Sequence, residues 1–261
     1  MTSERLAELI RERQPCVVLT GAGVSTESGI PDFRSPGGLW AEFDPLDYAS
    51  LDSFRRDPVR IWDFYGRRFA FLADAEPNDA HRAIAELERR GLVDAVITQN
   101  IDLLHEAAGA RTLVKVHGSI DRARCVDPSC PEADTTVPTA SLDFTAFDAH
   151  PDAGSVPRCA ACGGLMRPHV LWFDEHYGSH PDYRWSDVLT ACGAMRLVLA
   201  VGTSFSVGVT DLVAGEAARR GVPLFVIDPQ GSSIAGRGVI GLRNKAEELL
   251  PRVCALVGAP P

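Results

Sequence analysis

Short, continuous apolar runs recur along the chain and are separated by segments with helical periodicity. Continuous apolar runs, as opposed to alternating ones, are typical of strands buried on both faces of a parallel sheet. The sequence therefore predicts a doubly wound α/β fold, in which helices cover a parallel sheet. The predicted strands are residues 16–19, 95–98, 113–116, 197–201 and 223–227, and the predicted helices are residues 3–13, 78–90, 101–109, 210–220 and 244–257.

Two stretches interrupt this repeat and predict separate modules. Residues 41–75 are rich in aromatic side chains and predict a helical insertion. Residues 120–168 carry four cysteines but show no sustained helical or strand periodicity. A loop of that length inside a compact domain needs a stabilising element of its own. The remainder, residues 1–40, 76–119 and 169–261, is assigned to the sheet domain.

Composition narrows the range of functions. The net charge of −9 argues against general nucleic-acid binding, which needs clustered lysine and arginine. No apolar run in the sequence approaches the length that spans a bilayer, and the charged N-terminal helix resembles neither a signal nor a transit peptide. We therefore expect a cytoplasmic monomer with no direct nucleic-acid partner and no membrane partner.

The cysteines predict a metal site. An odd number of seven cysteines, in a compartment expected to be reducing, favours metal ligands or free thiols over disulfides. Two pairs, Cys125 with Cys130 and Cys159 with Cys162, have spacings found in closed, structural zinc sites. The alternative is four unrelated buried cysteines. The remaining three lie in apolar contexts and are expected to be inert core residues: Cys16, Cys192 and Cys254.

The first predicted strand leads into Gly21-Ala22-Gly23, small residues beside which backbone N–H groups can approach a phosphate. Asp32, Phe33 and Arg34 follow, and an acid, a ring and a guanidinium on one loop predict a cover over a bound ligand. An ordinary surface loop is the alternative. Thr26 stands where the dinucleotide fingerprint has its third glycine, which disfavours a hydride-transfer dehydrogenase while a nucleotide ligand remains favoured.

Polar residues follow the other predicted strands as well. Ligands of open α/β sheets bind beyond the carboxyl ends of the strands, so these residues predict one ligand-binding edge. His117 is the candidate general base, and the other six histidines, including His81, His105 and His169, are expected to be structural. Asn100 and Asp102 suit either ligand contact or capping of a helix. The clusters are Gln99-Asn100-Ile101-Asp102, His117-Gly118-Ser119, Gly202-Thr203-Ser204 and Asp228-Pro229-Gln230.

Together and in this order, the motifs resemble the sirtuins, which are NAD-dependent protein deacylases. The resemblance rests on residues 21–25, 29–35, 98–102, 117–118 and 202–204 and on the two cysteine pairs. It implies a Rossmann-like NAD-binding domain, one structural zinc ion, NAD as a consumed co-substrate, and acyl-lysine proteins or peptides as substrates. The acyl group would pass to ADP-ribose with release of nicotinamide.

The resemblance also implies the site residues. His117, Asn100 and Asp102 would be catalytic, with His117 as general base on a ribose hydroxyl. Contacts with NAD would come from Gly21, Ala22, Gly23, Ser25, Asp32, Phe33, Arg34, Trp40, Gln99, Asn100, Ile101, Asp102, Gly202, Thr203, Ser204, Asp228 and Ala246. Contacts with the acyl-lysine substrate would come from Tyr65, Arg68, Val170, Trp172 and Phe173.

Tyr65 and Arg68 match the Tyr-x-x-Arg pair of the sirtuin branch that removes succinyl and malonyl groups. Three residues apart on a predicted helix, they share a face and can hold a carboxylate together. The alternative is that Arg68 faces solvent beside a packed tyrosine, since the adjacent Arg67 shows how easily an arginine occurs in this segment. Residues 37–40 and 167–170 also resemble that branch.

Two positions depart from the family pattern. Asp174 replaces the glycine of the usual Phe-Gly-Glu loop. Aspartate lacks the backbone conformational freedom of glycine, so we expect a conformational cost at this position and altered pairing with the substrate backbone. Asp228 stands where asparagine is common. Two other functions stay open from the sequence: an NAD glycohydrolase or ADP-ribosyltransferase using the same cleft, and a non-catalytic NAD-binding regulator.

Overall fold

The structure is a computed structural model, and it describes residues 2–32, 38, 42–231, 234 and 238–258. The chain divides into two compact units. The first unit contains Met1–Asp32, Ala75–Val116 and Arg184–Pro261, and the second contains Phe33–Asp74 and His117–Tyr183.

Strands and helices are numbered in chain order over the described residues. The strands are β1 (Cys16–Thr20), β2 (Ala95–Thr98), β3 (Leu113–Lys115), β4 (Gly118–Cys125), β5 (Thr136–Pro138), β6 (Met166–Val170), β7 (Leu197–Val201), β8 (Leu224–Ile227) and β9 (Val239–Leu242). The α-helices are α1 (Ser3–Glu12), α2 (Pro45–Tyr48), α3 (Leu51–Arg56), α4 (Pro58–Ala73), α5 (Asp79–Arg89), α6 (Leu104–Ala107), α7 (Thr145–Ala149), α8 (Trp185–Ala194), α9 (Gly208–Arg220) and α10 (Ala246–Leu256). Short 3₁₀ helices cover Ala22–Ser28, Thr139–Ser141 and Pro181–Tyr183.

The first unit contains a parallel sheet of six strands in the order β3-β2-β1-β7-β8-β9. All five residues of β1 and of β7 are buried, as their unbroken apolar sequences predict. The chain extends the sheet to one side through β2 and β3 and to the other through β7, β8 and β9. The doubly wound prediction is confirmed, and the switch point between β1 and β7 is where such sheets bind ligands.

Helices with one apolar face cover this sheet. Helix α1 begins after Thr2, whose hydroxyl accepts the N–H of Arg5 at 3.3 Å, and it buries Leu6 and Ile10 completely. Helix α5 begins after Asn78, whose side chain accepts the N–H groups of Ala80 and His81. Such caps satisfy the donors that a helix start leaves without partners. Within the described residues, no helix is long and apolar enough to cross a membrane.

The second unit combines helices α2, α3 and α4 with an antiparallel sheet of three strands, β5-β4-β6. Helix α4 is tied to this sheet by Trp62, whose indole Nε1 donates to the carbonyl of Met166 at 2.9 Å. The aromatic-rich segment and the cysteine-bearing segment therefore pack against each other within one unit.

Candidate active site

Three glycines bring the ends of β1 and β7 into backbone contact. The N–H of Gly23 donates to the carbonyl of Gly202 at 2.9 Å, and the N–H of Gly21 donates to that of Val201 at 3.1 Å. Gly202 has a φ of 57°, and a Cβ there would lie 2.3 Å from the nitrogen of Val24. The N–H groups of Gly21 and Gly23 are thus engaged by protein carbonyls. Close packing of the strand ends requires these two glycines, since a Cβ at either one would lie 2.8 Å from an atom of Gly202.

Beside this contact, three buried polar side chains form a hydrogen-bonded group. Asn100 Nδ2 donates to the Ser25 hydroxyl at 3.0 Å and to the carbonyl of Gly21 at 3.2 Å. The Ser25 hydroxyl donates to Asp102 Oδ2 at 3.0 Å, and Asp102 Oδ1 accepts the N–H of Leu104 at 3.1 Å. Asp102 therefore accepts hydrogen bonds both from the start of α6 and from the polar group. These side chains are therefore held in place by one another.

Two buried histidines, His81 and His105, pack together beside this group with their ring centroids 4.8 Å apart, and both were expected to be structural. His81 Nδ1 accepts the N–H of Asn78 at 3.3 Å, so a neutral ring carries its proton on Nε2, which lies 3.5 Å from the Ser25 hydroxyl. Burial lowers the pKa of His81 to about 4, although Asp102 raises it. Burial also lowers the pKa of His105 to about 3. Both rings are therefore neutral near pH 7.

Further predicted NAD residues lie at the same edge of the first unit. Gln99 Nε2 joins the ends of β2 and β7, donating to Thr203 Oγ1 at 3.0 Å and to the carbonyl of Thr20 at 3.1 Å. Asp228 Oδ1 accepts the N–H of Gln230 at 2.8 Å just beyond β8. Ile101 and Ala246 are buried, and the hydroxyls of Ser204 and Ser206 lie 2.9 Å apart. Phe33, Arg34, Trp40 and most of residues 37–40 lie outside the described residues.

His117 lies in the second unit, directly before β4. Its carbonyl accepts the N–H of Leu171 at 2.9 Å, and its half-buried ring stacks on Tyr177 with the ring centroids 5.8 Å apart. Gly118 has a φ of 79°, and a Cβ there would lie 2.1 Å from the carbonyl oxygen of His169. Glycine after His117 is therefore required by close packing against β6. The stacked Tyr177 was not predicted from the sequence.

Two of the predicted acyl-binding residues, Tyr65 and Trp172, are in contact within the second unit. Tyr65 of α4 is buried, and its hydroxyl accepts a hydrogen bond from Trp172 Nε1 at 2.9 Å. Burial raises the pKa of Tyr65 to about 12, and the charges of Arg167 and Arg68 oppose that rise. The phenol is therefore protonated at neutral pH. Val170 is buried, whereas half of the Phe173 side chain is exposed.

The loop that carries Trp172 is fixed at Asp174 and Glu175. The backbone at Asp174 does not have a positive φ, so the expected cost of replacing glycine does not arise. Its carboxylate instead accepts backbone N–H groups at the start of α3. The Glu175 carboxylate accepts both Nη groups of Arg167, at 2.7 and 2.8 Å, and Nη2 of Arg124 at 2.8 Å.

The four predicted metal ligands come together. The Sγ atoms of Cys125 and Cys162 are 3.5 Å apart, those of Cys130 and Cys159 are 3.7 Å apart, and all four lie within 4.8 Å of one another. Zn–S bonds of about 2.3 Å in a tetrahedron place sulfur atoms about 3.8 Å apart. Backbone N–H groups of Asp127, Glu132 and Gly164 each approach a sulfur at 3.4 Å. This donor set suits one structural zinc ion.

A second group of metal-ligand types, His169, His180 and Asp182, also lies within 4.8 Å. Burial lowers the pKa of His169, and the nearby charges of His180, Arg124 and Arg167 lower it further, so the surroundings disfavour an added cation. His180 Nδ1 already accepts the N–H of Asp182 at 3.2 Å. His169 stacks on the Tyr183 ring with the centroids 4.9 Å apart. We assign this group to packing.

Comparisons with known protein sequences find relatives that match nearly the whole chain. A model of the Sir2 family matches residues 21–209. NAD-dependent protein deacylase 2 of Pyrobaculum aerophilum is 39% identical over 248 residues, covering 95% of this chain and 93% of the relative. The NAD-dependent protein deacetylase of Sulfurisphaera tokodaii is 36% identical over 253 residues, covering 97% of this chain and 95% of the relative.

Solved structures show the same fold. A Sir2 homologue in complex with NAD has a TM-score of 0.80 and 36% identity, covering 97% of this chain and 93% of its own. A Sir2 structure with a deacetylated p53 peptide and 3′-O-acetyl-ADP-ribose has a TM-score of 0.82 and 27% identity, covering 98% of each chain. The similarity therefore extends over both units of the chain.

Proposed function

The chain belongs to the Sir2 family of NAD-dependent protein deacylases, and we propose that it prefers acyl-lysine groups ending in a carboxylate, such as succinyl and malonyl. The observation that supports this preference is the Tyr65 hydroxyl, buried, protonated and held by Trp172, with Arg68 one helical turn away on α4. A phenol O–H and a guanidinium both donate, and a carboxylate only accepts. A neutral acetyl group offers neither of them a charged partner.

We propose the following division of roles. The first unit holds NAD through the polar group of Ser25, Asn100 and Asp102, which is preorganised by the contacts described above. In the second unit, His117 is the general base that takes the proton of a ribose hydroxyl. The acyl carbonyl oxygen attacks the ribose carbon that bears nicotinamide, and nicotinamide leaves. The ribose hydroxyl that His117 deprotonates then attacks the acyl carbon. The bond from that carbon to the lysine nitrogen breaks, and with the addition of one water the products are the free lysine amine and O-acyl-ADP-ribose.

The experiment that tests the acyl preference is mass spectrometry of products from NAD and matched acetyl-, succinyl- and malonyl-lysine peptides. We expect O-acyl-ADP-ribose from all three, with a higher kcat/KM for the two acidic groups. Equal or lower values for succinyl and malonyl would refute the preference. Nicotinamide release that does not depend on peptide would instead indicate a glycohydrolase.

The role of His117 has its own test. Replacing a general base typically lowers the rate about 10²- to 10⁴-fold, so His117→Ala should form O-acyl-ADP-ribose at least about a hundred times more slowly than wild type. The matched control is His150→Ala, because His150 is exposed at the end of α7. Turnover by His117→Ala at the wild-type rate would indicate that His117 is not the base.

We also propose that the protein is a cytoplasmic monomer without a direct nucleic-acid partner. The net charge of −9 and cysteines arranged as metal ligands and core residues support this proposal. Sedimentation equilibrium at micromolar concentration tests the monomer, and a dimer would contradict it.

A further inference from the structure

A buried network of charges in the second unit surrounds the loop that carries Trp172. The side chains of Arg167, Glu175 and Arg124 are 2%, 8% and 10% exposed. Glu175 accepts from both arginines and also from the backbone N–H of Trp172, at 3.0 Å. Burying such charges costs solvation free energy, so the network is weak evidence for a gain in stability. Its three members instead restrict one another to a single arrangement.

The network fixes the plane of the Trp172 indole. The Arg167 guanidinium lies over the ring, 3.5 Å from its centroid, while its Nη2 donates to the carbonyl of Val170 at 2.7 Å. Phe54 of α3 packs beside the same ring, with the centroids 5.5 Å apart. Because the ring is 2% exposed and held in this way, its Nε1 edge has one direction. That edge points at the Tyr65 hydroxyl.

The direction of this hydrogen bond determines what Tyr65 offers to a substrate. An indole N–H can only donate, so the phenol oxygen must accept from it and keeps its own hydrogen for donation. A tyrosine without this partner could rotate its hydroxyl and present either a donor or an acceptor. The Trp172 contact therefore selects the state of Tyr65 that suits an acceptor-only carboxylate.

We propose that Trp172, held by Arg167 and Glu175, is a positioning residue for acyl specificity that orients the Tyr65 hydroxyl as a donor toward the acyl carboxylate. This inference rests on the proposed preference for acidic acyl groups. It assigns to Trp172 an action through Tyr65 in addition to any direct contact with substrate.

The test is a double-mutant cycle with Trp172→Phe and Tyr65→Phe, assayed on succinyl- and acetyl-lysine peptides. Trp172→Phe removes the N–H and keeps a ring under Arg167. We expect the ratio of succinyl to acetyl kcat/KM to fall about tenfold, the size of one lost hydrogen bond, mainly through a higher KM for the succinyl peptide. Tyr65→Phe should show the same pattern, and the double variant should add little because both changes remove one interaction.

The matched control is Trp62→Phe, which deletes another buried indole N–H of the same unit, the one bonded to Met166. It should leave the ratio of succinyl to acetyl activity at the wild-type value. If wild type prefers succinyl but Trp172→Phe changes both substrates equally, or neither, the positioning role is overturned. If wild type shows no preference for succinyl, the proposed acyl preference itself fails.

A spectroscopic measurement covers the case in which Trp172→Phe does not fold. The four tryptophans give four indole N–H resonances by NMR. In Tyr65→Phe, the Trp172 resonance should shift upfield because its acceptor is lost, while the Trp62 resonance stays in place. A Trp172 resonance that does not move would overturn the proposed contact.

Discussion

The carboxylate of Asp174, in the loop that follows β6, accepts the backbone N–H of Leu51 at 2.8 Å through Oδ1. Oδ2 accepts the N–H of Asp52 at 3.1 Å, and the N–H of the preceding Phe173 donates to the carbonyl of Ala49 at 3.0 Å. The first N–H groups of a helix have no partner within it, and Asp174 supplies an acceptor for two of these groups in α3. The residue that departs from the family pattern is an anchor between loop and helix.

Loss of this anchor should destabilise the protein. We expect Asp174→Ala to lower the free energy of unfolding by about 1 kcal/mol, the typical effect of removing a side chain that caps a helix start. Asp174→Asn keeps one acceptor oxygen and should lose less. Urea unfolding measures both. The matched control is Asp63→Ala, which removes an exposed ion pair with Arg67 and should cost less than about 0.5 kcal/mol. Equal losses for the two alanine variants would contradict the anchor.

Arg68 and Arg67 offer a comparison between adjacent arginines. Arg67 forms an exposed ion pair with Asp63 at 3.0 Å, whereas burial raises the pKa of Tyr65 and the charge of the nearby Arg68 opposes that rise. Charge-assisted hydrogen bonds are worth about 1.5–3 kcal/mol, so Arg68→Met should lower kcat/KM on succinyl-lysine about 10- to 100-fold. Activity on acetyl-lysine should change far less, and Arg67→Met should change neither. Parallel losses on both peptides in Arg68→Met would refute a carboxylate clamp.

Sequence reasoning recovered the parts of this molecule that local pattern determines. The unbroken apolar runs of β1 and β7 are typical of buried strands, and the polar residues that follow them predicted the ligand-binding edge of the sheet. Cysteine spacing predicted the zinc ligands because two short-range pairs define such a site. By contrast, β9 was missed, since Val239–Leu242 is a half-buried edge strand that contains a glycine.

The contacts that orient the site could not be read from the sequence, because most of them join residues distant along the chain. His81 lies 56 residues from Ser25, and Tyr65 lies 107 residues from Trp172. Nothing in the local sequence of α5 distinguishes His81 from a structural histidine. Of the two arginines that Glu175 accepts from, Arg124 lies 51 residues away. Arg167 lies only eight residues away, but its pairing depends on how the loop after β6 turns back.

Removing zinc should destabilise the protein, because the ion would no longer hold the four cysteine ligands together. We expect one zinc per chain by elemental analysis, and both Cys159→Ser and treatment with a strong chelator should remove it and lower the unfolding temperature. Cys254→Ser is the matched control, because Cys254 is buried in α10, far along the sequence from the cysteine pairs. It should retain one zinc. Full zinc content in Cys159→Ser would contradict the predicted ligand set.

His81 should make the protein sensitive to acid. Burial lowers its folded-state pKa from 6.5 to about 4, so between these pH values the unfolded chain binds more protons than the folded one. The free energy of unfolding must therefore rise with pH across this window and fall as acid is added, by up to about 1.4 kcal/mol per pH unit for one such group. Glutamine can accept from the N–H of Asn78 and donate to Ser25 without titrating, so His81→Gln should have a shallower slope between pH 4 and 6.5. Urea unfolding at several pH values measures both slopes, and parallel curves for the two proteins would show that His81 is not buried in its neutral form.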